Sequence, residues 1–100
     1  MSAPRAVFIG DELTSAGWRL AGLETHAPPA NEVPECIERV LDAGPPLVLI
    51  GASAARALDA ATLEGLLMAT APPVLVVAEA TAAAVPLDLA GRVRRALGVG

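Results

Sequence analysis

The chain has 100 residues, 54% of them hydrophobic, and a formal net charge of −4, which suits one domain with a real core and excludes a disordered segment. All seven basic residues are arginines and the one cysteine is Cys36, so Schiff-base, P-loop-lysine and lysine-base chemistry, an internal disulfide and a cysteine-based zinc site are all excluded. Basic residues gather only at Arg92, Arg94 and Arg95, without interleaved aromatics, and no nucleic-acid partner is expected.

No apolar run approaches the ~18 to 20 residues needed to span a bilayer. The apolar run that follows Met1 has strand length, too short for the core of a signal peptide. A soluble, cytoplasmic protein without membrane insertion is expected.

In chain order, Arg5-Ala6-Val7-Phe8-Ile9 is a continuous apolar run ending at Gly10, the pattern of a strand buried on both faces. Asp11 or Thr14 can cap the helix that follows, and Gly22 is its stop. Residues 23–27 form a weak second strand suited to a sheet edge, closed by Pro28 and Pro29. Asn31 is a candidate cap for a helix over 32–43, with Pro34 in its first turn and Val33, Ile37, Val40 and Leu41 as an apolar stripe. Gly44-Pro45-Pro46 stops it, and Leu47-Val48-Leu49-Ile50 is the strongest strand signal in the chain.

Residues 53–70 read as helical, with Leu58, Leu63, Leu66 and Leu67 on the apolar side and Asp59 a candidate start for a second piece. Ala71-Pro72-Pro73 breaks the helix before a fourth strand, Val74-Leu75-Val76-Val77. A last helix over 87–97 follows Pro86, with Leu89, Val93 and Leu97 on one face and Arg92, Arg94 and Arg95 opposite. Strand–helix alternation with apolar strands implies a parallel sheet with helices on both faces, joined by right-handed crossovers. The expected fold is a single flavodoxin-like, three-layer α/β domain over residues 1–100, with four strands in the order 2-1-3-4.

In such a sheet, ligands sit at the carboxyl ends of the strands, beside strands 1 and 3. Asp11 and Glu12 stand there, as the acidic pair of a receiver domain does. The phosphoacceptor Asp and the Lys that complete that site have no counterpart in Ile50-Gly51 or Ala78-Glu79. A metal held by Asp11 and Glu12 alone is short of ligands, and the pair reads better as charge at a helix start. Gly51-Ala52-Ser53 could offer backbone N–H groups to an anion, a weak signal because such turns are common. Cys36 reads as a partly buried thiol in a helix, and nothing pairs it with His26. There is no G-x-G-x-x-G, Walker A or G-x-S-x-G pattern. No catalytic, cofactor-binding or metal-binding residue is assigned, and no enzyme activity is expected.

The stretch from Phe8 to Gly22 resembles the opening of the F subunits of V-type and archaeal A-type rotary ATPases. The shared positions are Gly10, Asp11, Thr14, Gly17, Trp18, Leu20, Ala21 and Gly22, with Trp18 at a position more often filled by Phe. Strand–helix order and length are similar over nearly the whole chain. The resemblance implies a non-catalytic subunit of the central stalk, peripheral to the inner membrane. It would bind the coiled-coil D subunit, could also contact the A and B subunits of the head, and would couple ATP hydrolysis or synthesis to proton or sodium transport. It implies no cofactor. The expected partner-binding residues are Trp18, Arg19, Leu89, Val93, Arg94 and Leu97. Trp18 and Leu20 cannot both face the same way, so one is expected to pack inward and the other toward a partner. The competing reading is a receiver-like or small-ligand-binding α/β domain that lacks the phosphoacceptor Asp and the Lys.

Overall fold

Three short apolar segments and one polar one lie side by side in one parallel sheet. In the computed structural model, which describes residues 4–80, β1 (Val7–Ile9) is flanked by β2 (Glu24–His26) and β3 (Val48–Gly51), and β4 (Val74–Val77) lies outside β3. The order is 2-1-3-4, as expected. The register sets Val7 opposite Glu24 and Val48, and Val48 opposite Val74. Every residue of β1 and β3 is buried, whereas β2 is partly exposed at its edge. This follows from composition, since uninterrupted Val, Ile, Leu and Phe can be covered on both faces and Glu24-Thr25-His26 cannot.

Side chains alternate across the sheet and build two cores. On one face Val7, Ile9, Val48, Ile50 and Val74 meet Val33, Cys36, Ile37 and Val40 of α2 (Val33–Asp42) and Ala54 and Ala55 of α3 (Ala52–Arg56). On the other, Phe8 and Leu49 pack with Leu23 and with Trp18 of α1 (Glu12–Leu20). The Phe8 and Trp18 rings stack with centroids 5.8 Å apart at 22°, an arrangement that contributes about 0.5–1.5 kcal/mol beyond area burial. Trp18 is only 7% exposed, and its indole N–H finds no acceptor among the described residues.

The helix boundaries refine the reading of the sequence. Asp11 is the cap of α1, accepting the Thr14 N–H at 3.4 Å. The Thr14 hydroxyl is turned to other use, accepting the Ala80 N–H at 2.8 Å. Gly22 takes φ +97°, the left-handed stop that a side chain would strain. Asn31 does not cap α2. It lies inside a 3₁₀ turn (Ala30–Glu32), and α2 starts after it with no side-chain cap, its first turn helped by Pro34.

The expected long helix is two, α3 and α4 (Ala60–Met68), with Asp59 capping the second. Leu58, Leu63 and Leu66 pack against the core, but Leu67 is exposed beside Met68. The helix α4 is apolar on more than one side, and among the described residues Leu63 and Leu66 pack on the core while Leu67 and Met68 are exposed. No helix among the described residues is long and apolar enough to cross a membrane. The helix expected over 87–97 lies outside the described residues.

Truncation of the ring on which Trp18 stacks, Phe8→Ala, is expected to cost about 3–5 kcal/mol. Trp18→Phe should stay within about 1 kcal/mol of the parent, because the lost area is offset by removal of an unpaired buried N–H. Urea unfolding followed by circular dichroism measures both.

Candidate functional site

At the carboxyl ends of the central strands the backbone turns twice into a helix, at Gly10-Asp11 after β1 and at Gly51-Ala52-Ser53 after β3. Between these turns lies the carboxylate of Glu79, two residues beyond β4 and 6% exposed. Its Oε2 accepts the Asp11 N–H at 2.9 Å and the Ser53 hydroxyl at 2.8 Å, and its Oε1 accepts the Ser53 N–H. Two of the three donors are amides at the starts of helices, where backbone N–H groups lack partners in their own helix and the local potential favours negative charge. The next residue, Ala80, is tied to α1 through Thr14.

Glycine makes the arrangement possible. A Cβ on Gly51 would lie 2.8 Å from Glu79 Oε2 and 2.9 Å from its Cγ and Cδ, and one on Gly10 would collide with the Phe8 ring and approach Glu79 Oε2 at 3.1 Å. The two strands that end beside the ligand position of this fold class thus run into glycine, Gly10 just after β1 and Gly51 at the end of β3, and the space is filled by a carboxylate that follows β4. The weak anion-binding signal of Gly51-Ala52-Ser53 corresponds to a real anion, supplied by the chain itself.

The acidic pair after β1 is split. Asp11 serves the start of α1, while Glu12 turns outward and accepts from Arg19 at 3.2 Å with both side chains largely exposed. Among the described residues no group of three or more His, Cys, Asp or Glu is placed to hold a metal ion. His26 and Cys36 do border one recess of about 90 Å³ between β2 and α2, together with Glu24 and Arg39. The His26 ring is bonded to Glu24 at 2.8 Å, and burial pushes the Cys36 thiol above its ordinary range against the opposing pull of Arg39. A buried, protonated thiol is a core group rather than a nucleophile.

Of the expected partner-binding residues, Trp18 is not at the surface, because its indole is turned onto Phe8. Arg19 is exposed and bridges Glu12 and the Thr25 hydroxyl. Leu89, Val93, Arg94 and Leu97 lie outside the described residues. The outward member of the Trp18–Leu20 pair is Leu20, 78% exposed, and Leu13 seven residues earlier is 54% exposed. Leu13 and Glu79 were not singled out from the sequence. A spacing of seven places Leu13 and Leu20 on one side of α1, and an acidic residue just past an apolar strand was the signal for Glu79.

Crowding at Glu79 makes Gly51→Ala destabilising by about 1–3 kcal/mol, whereas Gly65→Ala, in open space on α4, is expected to stabilise by about 0.5–1 kcal/mol. Chemical denaturation of the two variants checks the contrast. A raised thiol pKa also sets a pH dependence. The stability that Cys36 contributes by staying neutral is fully present below the unfolded thiol's value, about 8.5, and is lost as pH rises from there through the folded value. Urea midpoints between pH 7 and 10 should fall more steeply for the parent than for Cys36→Ala. No protein-family model matches this chain, and no curated protein matches it in sequence.

Proposed function

We propose that this chain is a non-catalytic protein-binding subunit of the F type, seated on the central stalk of a V- or A-type rotary ATPase. In this reading it grips a coiled-coil D-type subunit and helps couple ATP hydrolysis or synthesis to proton or sodium transport. The observation that carries the non-catalytic part is the closure of the strand-end crevice by Glu79, since α/β sheets that act on small ligands use that crevice for them. The choice of family rests on the motif from Phe8 to Gly22. A helix that contributes Trp18 to the core while exposing Leu13 and Leu20 beside Arg19 suits a partner that is itself an apolar-striped helix. The cytoplasmic side of the membrane, in the soluble sector of the complex, is the location that this role requires.

Mixing the chain with the D-type subunit of the same organism should give a complex on size-exclusion chromatography and a measurable Kd by calorimetry. Leu20→Glu should weaken that binding tenfold or more, equivalent to at least about 1.4 kcal/mol, with a Tm near that of the parent because the side chain is exposed. Absence of any complex removes the stalk reading. A thermal shift of the parent chain with magnesium and a phosphate analogue favours a receiver-like domain instead.

A further inference from the structure

We infer that the strand-end cradle is a carboxylate site closed in cis, with Glu79 as its tethered ligand, and that it takes a free small carboxylate once Glu79 is removed. The inference is independent of the partner proposed above. It rests on a seated occupant rather than on helix ends alone. A side chain 6% exposed spans from β4 to the ends of β1 and β3 and meets donors on both of its oxygens.

The chemistry of the donors selects the ligand. One oxygen is read by an amide and a hydroxyl and the other by an amide, a pattern that matches the two coplanar oxygens of a carboxylate. The flat group lies against Gly51, with Glu79 Cδ 2.9 Å from where a Cβ would stand, and Gly10 bounds it with a 3.1 Å approach to Oε2. A planar anion suits that narrow space better than a tetrahedral one. Tethering holds the Glu79 carboxylate at an effective concentration of millimolar or higher, about the level at which a weak free anion would have to compete. The parent is therefore closed to acetate, formate and phosphate alike.

Removal of the side chain in Glu79→Ala leaves three donors facing a space of the size of a small carboxylic acid. The variant should melt about 10 °C or more below the parent in chloride, since a charged acceptor of three hydrogen bonds is gone. Acetate at tenfold its Kd should return about 5 °C or more of that loss. Acetamide, and chloride at equal ionic strength, should return none, and the parent should not respond to acetate. Ser53→Ala added to Glu79→Ala should cut the acetate response. Folding of Glu79→Ala in acetate but not in chloride supports the inference equally. Equal behaviour in acetate and chloride, or an equal acetate shift in the parent, overturns it.

Should Glu79→Ala fail to fold in every medium, Glu79→Gln decides. Whichever way the amide is turned, its NH₂ confronts the Asp11 N–H or the Ser53 N–H. A carboxylate-selective cradle therefore lowers the Tm of this near-isosteric variant by several degrees, and a Tm equal to that of the parent overturns the inference.

Discussion

A buried carboxylate needs donors, and helix starts carry donors that need an acceptor; in this chain each need answers the other. Glu79 brings its charge from the end of β4 to amides at the ends of β1 and β3, so the ends of three strands close around one group. Most of what surrounds it follows. Gly51 must lack a side chain to admit it, and Gly10 to admit the Phe8 ring beside it. Thr14 can be buried because its hydroxyl receives the amide of the residue after Glu79. Both oxygens are met, which is what makes such a burial tolerable, since an unpaired buried carboxylate would cost several kcal/mol.

The layers on either side differ in kind. Beneath the α2–α3 face the core is aliphatic, with Val, Ile, Ala and one thiol. Beneath α1 it is carried by the chain's two aromatic rings, with Leu23 and Leu49 around them. Small aliphatic groups let the helices approach the sheet closely, while the Phe8–Trp18 stack fixes the rotation of α1 about its own axis. That rotation decides which α1 side chains look outward, and so it joins the packing of the second core to the surface proposed as a partner contact.

Strand order and burial were legible because they are properties of local pattern. Three runs of uninterrupted apolar residues and one polar one can be arranged in a 2-1-3-4 sheet with the polar one at the edge, and that is the arrangement observed. Caps were partly legible. Asp59 and Asp11 act as read, but Asn31 was displaced by a 3₁₀ turn that Pro29 introduces. The closure of the site was not legible. Glu79 lies 68 residues from Asp11 and 26 from Ser53, and taken locally it is one more acidic residue after an apolar strand. Only the juxtaposition of three strand ends tells a solvated charge from a buried keystone. The outward turn of Leu20 followed from the choice that Trp18 makes, and geometry rather than composition settles that choice.

The edge strand β2 presents only three residues, Glu24, Thr25 and His26, two of them joined by a side-chain hydrogen bond and the third held by Arg19 from α1. An edge so short and so heavily decorated is a poor template for another strand. Copies of this chain are thereby discouraged from joining their sheets along that margin, and a contact made there runs through side chains, where one altered residue can retune a match without touching the backbone.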